Sequence, residues 1–154
     1  MKKAYISNDQ SDTFFYFEII KETAPKSILD ADMFLRRIGA ISKSVGDLSM
    51  TPHTLLDGID FFPEYDFPIY HTIYDNIFDP KDDIVTKYDL SILTSPMDIF
   101  SKDETSKLID RLSSISSRIA LGIPDEKELS LLSSYGKVTD LHVDDKLYAL
   151  VSIS

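Results

Sequence analysis

Apolar positions recur with two periods along this chain. Leu108, Leu112, Ile115 and Ile119 return at helical spacing, which places them on one stripe. The spacing predicts a helix over 102–121, opened by a capping box at Ser101 and Glu104 and stopped by Gly122 and Pro124. Phe34, Ile38, Ile41 and Val45 make a similar stripe, so a second helix is expected over 28–45, with Ser27 as N-cap and Gly46 past its end. Strands are expected where β-formers cluster. Residues 3–7 and 13–20 read as a hairpin, because Phe14, Phe15, Tyr16, Phe17, Ile19 and Ile20 flank a polar turn at 8–12. Residues 87–94 read as a strand with Tyr88, Leu90 and Ile92 on one face. Residues 137–143 and 146–153 read as a second hairpin turning at Asp144-Asp145.

The middle of the chain is broken by prolines. Thr51-Pro52 suits a helix start running to Asp57, and Pro68 suits another running through Phe78. Asp125 and Glu128 suggest a further capping box and a short helix ending before Gly136. Hairpins at both ends with helices between them predict an α+β fold: an antiparallel sheet built from N- and C-terminal hairpins, with helices packed on one face. No linker long enough to divide the chain is present, so 1–154 is expected to be one globular domain.

Composition then narrows the chemistry. The 154 residues hold no cysteine, which excludes disulfides, thiolate zinc sites and a cysteine nucleophile. The five glycines are Gly39, Gly46, Gly58, Gly122 and Gly136, and no two lie close enough for a dinucleotide fingerprint or a P-loop. There is no G-x-S-x-G, no H-E-x-x-H and no EF-hand. A Ser-x-x-Lys at Ser134-Tyr135-Gly136-Lys137 is interrupted by its glycine. Two lysines begin the chain but no apolar signal core follows, so a cytoplasmic location is expected.

The formal net charge is −10. Nine acids and two bases fall within 51–90, together with eight of the 17 Phe and Tyr residues. An acidic surface repels phosphate backbones and anionic lipids, so neither nucleic acid nor membrane is expected as a partner. In size, acidity and lack of motifs the chain resembles small inhibitor and immunity proteins. The expected function is a non-catalytic acidic binder that masks a basic protein surface, such as a nuclease groove. Its expected contact residues are Asp57, Asp60, Glu64, Tyr65, Asp66, Tyr70, Asp75, Asp79, Asp82 and Asp83. No catalytic residue and no cofactor are expected.

One repeat offers an alternative. His53-Thr54-Leu55-Leu56-Asp57-Gly58-Ile59 and His71-Thr72-Ile73-Tyr74-Asp75-Asn76-Ile77 match in type at all seven positions. If both were helical, each His and Asp would share a face, and His53, Asp57, His71 and Asp75 could hold a divalent metal in a hydrolase. A structural or adaptor subunit is the third reading.

Overall fold

The computed structural model describes residues 10–32, 40–48, 55–59, 61, 70–74, 77, 84, 87–94, 100–123, 126–143 and 146–154. Among these residues the strands are β1 (Ser27–Asp30), β2 (Leu55–Ile59), β3 (Thr72–Tyr74), β4 (Leu90–Leu93), β5 (Arg118–Ile123), β6 (Gly136–Val143) and β7 (Lys146–Ile153). The helices are α1 (Gln10–Thr23), α2 (Ala40–Asp47), α3 (Lys102–Ile115) and α4 (Lys127–Leu132).

The strands form one seven-stranded sheet in the order β3-β2-β1-β4-β5-β7-β6. Strands β3, β2, β1, β4 and β5 run parallel to one another. Strand β7 enters antiparallel beside β5 and carries β6 with it as a hairpin. This overturns the antiparallel sheet expected from terminal hairpins: the sheet is mostly parallel and is covered on both faces.

Successive strand residues point to opposite faces, which sorts the core in two. Ile28, Leu56, Leu90, Ile92, Ala120 and Tyr148 pack with Phe15, Tyr16, Ile19 and Ile20 of α1 and with Ile41 and Val45 of α2. Leu29, Ile59, Leu93, Ile119, Leu121, Ala149 and Val151 pack with Leu108, Ile109, Leu112 and Ile115 of α3 and with Leu132 of α4. Strands buried on both faces lose the alternating signature of a half-exposed sheet, which is why Ser27-Ile28-Leu29-Asp30 does not announce itself as a strand.

Several expected elements change type. Residues 10–23 are helical, and their aromatics follow helical spacing: Phe15, Tyr16, Ile19 and Ile20 are buried while Phe14 is 50% exposed. High β-propensity misled because tertiary packing overrides it. Residues 27–30 are β1, not the start of a helix, and the hydroxyl of Ser27 accepts the Asp89 N–H at 2.9 Å. Residues 55–59 and 72–74 are strands where helices were expected. Helix α3 does open on the Ser101–Glu104 capping box, but it ends at Ile115, and Gly122 lies inside β5. The strand expected at 87–94 forms over Leu90–Leu93, with Tyr88 outside it and packed in the other core from Leu90 and Ile92, and the C-terminal hairpin forms as expected.

Helix α1 is clamped to the far side of the sheet. The rings of Phe15 and Tyr148 stack with centroids 4.1 Å apart, and the Tyr148 hydroxyl donates to the buried Asp12 carboxylate. Lys146 Nζ lies 3.6 Å from the same carboxylate.

Gly122 sets how closely β4 and β5 approach. A Cβ there would stand 1.9 Å from the carbonyl oxygen of Thr94 and 2.9 Å from its carbonyl carbon. Backbone cannot yield as a side-chain tip can. Gly122→Ala is therefore expected to destabilise the fold by about 3 kcal/mol, the upper end of overpacking costs, read from the midpoint of urea unfolding.

Candidate functional site

The chain lays β2 and β3 to one side of β1, then returns to lay β4 and β5 on the other. Such a reversal opens a crevice beyond the carboxyl ends of the two central strands, where ligands of doubly wound sheets bind. Here those strands are β1 and β4.

Strand β1 ends on Asp30, Ala31 and Asp32 follow it, and all three are buried. The Ala31 N–H donates to the Ile92 carbonyl at 3.0 Å, which carries the ladder one step past the strand. Asp32 then reaches across the gap. Its Oδ1 accepts the Thr94 N–H at 2.8 Å, and its Oδ2 accepts the Thr94 hydroxyl at 2.6 Å. The Tyr16 hydroxyl of α1 donates to Oδ2 at 2.7 Å. The Asp30 carboxylate accepts the Asp32 N–H at 2.8 Å and the hydroxyl of Tyr70. Two carboxylates therefore stand at the mouth of the crevice, each held by donors from neighbouring elements. Burial, followed by the nearby Asp30 charge, raises the Tyr70 phenol far above its ordinary range, so it stays a neutral donor.

A second network lies under the α3 face. Asp57, in the middle of β2, accepts the Thr72 N–H at 3.0 Å and the Tyr88 hydroxyl at 2.5 Å. Tyr74 and Tyr88 hydroxyls meet at 3.1 Å. His71 Nδ1 lies 3.5 Å from Asp57 Oδ1, with its ring largely exposed.

These positions revise the sequence-based site. Of the expected contact residues, Asp57 and Tyr70 fall within the described structure, and both turn their polar atoms to internal partners. Phe61 and Tyr88 are also buried, so these aromatics of the acidic segment build core. Asp60, Glu64, Tyr65, Asp66, Asp75, Asp79, Asp82 and Asp83 lie outside the described residues. The metal alternative required two helical turns. Its first repeat instead forms β2 and its second begins β3, so the shared helical faces do not exist. His53 and Asp75 lie outside the described residues, and no group of three or more potential metal ligands occurs among those described. Sequence reasoning missed Asp30, Asp32, Thr94 and Tyr16. The available signal was the short apolar run Ile28-Leu29 ending on two acids, a pattern shared by buried strands and helix starts alike.

No family model matches the chain, and no curated protein matches it in sequence. Solved structures do match in fold. An O-methyltransferase family protein from Burkholderia thailandensis superposes with a TM-score of 0.69 at 10% identity, over 94% of this chain and 56% of that one. An N-methyltransferase from Bradyrhizobium japonicum, in complex with S-adenosyl-L-homocysteine, gives 0.65 at 12% identity, over 96% and 89%. A magnesium protoporphyrin IX methyltransferase from Synechocystis, with S-adenosylmethionine bound, gives 0.61 at 12% identity, over 93% and 80%. The chain thus spans little more than half the length of the first and most of the other two. The fold is the Rossmann-like fold of methyltransferases. That finding replaces the expected α+β architecture, and it overturns the reading as a non-catalytic inhibitor or immunity protein along with the hydrolase alternative. No described helix is long and apolar enough to cross a membrane.

Two outcomes follow from the networks. Asp32→Ala removes the carboxylate that accepts the buried Thr94 N–H and the Tyr16 hydroxyl, and it should cost about 3 kcal/mol in urea unfolding, against about 1 kcal/mol for Tyr16→Phe. Tyr70, Tyr88 and Tyr135 all have raised phenol pKa values, chiefly through burial, with Tyr135 pushed up to about 12. A raised folded-state value means that stability is complete below the unfolded value of 10.0 and falls as pH climbs above it. The alkaline limb of a stability–pH curve should therefore be steep, and shallower in Tyr70→Phe.

Proposed function

We propose that the protein is an S-adenosylmethionine-dependent methyltransferase that takes the cofactor in the crevice at the ends of β1 and β4. The observation that carries this reading is the chemistry of the crevice mouth. Dinucleotide folds place glycines after the first strand so that backbone amides can cradle a diphosphate. This chain places Ala31 between two carboxylates instead. A diphosphate is repelled there. A nucleoside carrying a sulfonium and an ammonium is attracted, so the donor set fits the cofactor of the structural neighbours and not a dinucleotide.

Asp30 and Asp32 would supply the negative potential that draws the cationic part of the cofactor. Their own hydrogen bonds to Tyr70, Thr94 and Tyr16 fix them in place, so no reorganisation is needed when a ligand arrives. In sequence Asp60 follows directly on β2, and it is the carboxylate the chain offers for ribose hydroxyls. When bound, the cofactor supplies a methyl group on a positively charged sulfur. Because that charge disappears with the methyl group, the two carboxylates favour the reactant over the neutral thioether left behind, and this assists exchange after turnover. The net charge of −10 favours a neutral or cationic acceptor over a nucleic acid.

Calorimetric titration tests the proposal. S-adenosylmethionine should bind with micromolar affinity and S-adenosylhomocysteine more weakly. In Asp30→Asn the preference for the sulfonium should shrink by about tenfold, roughly the 1.4 kcal/mol of one weakened charge contact. If neither compound produced heat or a melting shift, the reading would be wrong.

A further inference from the structure

Strand β6 ends the sheet on the side of the hairpin, and among the described residues no strand pairs with its far edge. An open edge is a template for another chain, and folded proteins blunt it with short strands, prolines or bulges. Strand β6 has none of these. It is eight residues long, holds no proline, and pairs with β7 in unbroken register from Gly136 to Val143.

The hydrogen bonds of the hairpin fix which backbone groups face outward. The Ser154 N–H donates to the Tyr135 carbonyl, and alternation from that pair turns the backbone groups of Lys137, Thr139, Leu141 and Val143 towards β7. Those of Val138, Asp140 and His142 therefore point away from it. Side chains alternate between the faces as well. Leu141 and Val143 lie on the α1 face, half-buried against the core. Asp140 and His142 lie on the other face, both exposed, with His142 Nε2 3.5 Å from Asp140 Oδ2.

We propose that β6 is a dimer interface, pairing antiparallel with β6 of a second copy about a two-fold axis at Leu141. A two-fold axis keeps each side chain on its own face, so the register can shift only in steps of two. An axis at Asp140 would set two carboxylates against each other. An axis at Thr139 would set Asp140 against Val138 and Lys137 against Leu141, a charge against an apolar side chain in both cases. The axis at Leu141 sets each Asp140 opposite the partner's His142, whose ring nitrogen donates to a carboxylate. The two pairs form a square with like groups on its diagonals. The backbone groups of Asp140 and His142, which point outward, meet in the same register. On the α1 face Leu141 meets Leu141 of the partner subunit, and Thr139 meets the partner's Val143, so the half-buried edge side chains gain apolar cover. The inference is independent of the methyltransferase reading and would stand if that reading fell.

The chain contains no cysteine, so a single introduced thiol reports the register. Leu141→Cys sets two thiols at a non-hydrogen-bonded pair, with Cα atoms about 4.5 Å apart and within disulfide reach. Under mild oxidation this variant should cross-link into a covalent dimer far faster than Thr139→Cys or Asp140→Cys. Sedimentation equilibrium of the unaltered full chain should show monomer and dimer in exchange, with a Kd on the order of 10–100 µM, the weak end for a contact of this size. His142→Asp sets like charges against each other twice across the axis, and it should weaken the dimer by about tenfold or more. Adding Asp140→Lys to it should restore the dimer, because opposite charges again face each other. The proposal is overturned by a chain that stays monomeric across that concentration range, by cross-linking at 139 or 140 as fast as at 141, by a His142→Asp variant that associates like the original, or by a double variant as weak as His142→Asp alone.

Discussion

The carboxylate of Asp32 ties the carboxyl ends of β1 and β4 to α1. Parallel neighbours at the centre of a doubly wound sheet diverge at this end, because the chain departs from them in opposite directions. The ladder between them therefore stops where a ligand crevice begins. Asp32 replaces the missing backbone pairing with bonds to the Thr94 amide and hydroxyl, and Tyr16 brings the helix to the same point. Charge-assisted bonds of this kind are roughly twice as strong as neutral ones, and they offset the cost of burying the carboxylate. Gly122 completes the arrangement from the other side by letting β5 meet the Thr94 backbone without a side chain between them.

The same device sets the electrostatics. Phosphate-binding turns in this class of sheet expose bare amides and a helix dipole, both positive. Here the equivalent stretch carries two fixed negative charges and no glycine. Fold and ligand charge are therefore separable: the topology places the crevice, and the residues after β1 decide which sign of ligand enters.

Periodic and capped elements were legible in the amino-acid pattern. Helix α3 announces itself through Leu108, Leu112 and Ile115 and through its capping box, and the β6–β7 hairpin through the β-formers on either side of Asp144-Asp145 in the sequence. Central parallel strands were not. Strands β1 and β2 are four and five residues long and buried along almost their whole length, so periodicity cannot separate them from helix starts. Helix α1 hid behind its aromatics, whose β-propensity outweighed their spacing. With β1 misread as a helix, Asp30 and Asp32 became ordinary first-turn acids, and the crevice disappeared with the strand that makes it. The charge excess of 51–90 was real, but composition does not say where a residue points, and Phe61 and Tyr88 point inward.

The placement of β7 bears on how the chain reaches this state. Strands β1, β2 and β4 must find partners far away in sequence, and pairings of that kind close large loops and form slowly. The β6–β7 hairpin closes a short one. It can form first and dock as a unit, β7 inward, along β5. Until it docks, β5 presents a long unpaired edge rich in Ile and Leu, the kind of template that draws chains into aggregates. In the finished sheet the hairpin covers that edge of β5 and leaves β6 as the outer strand on this side.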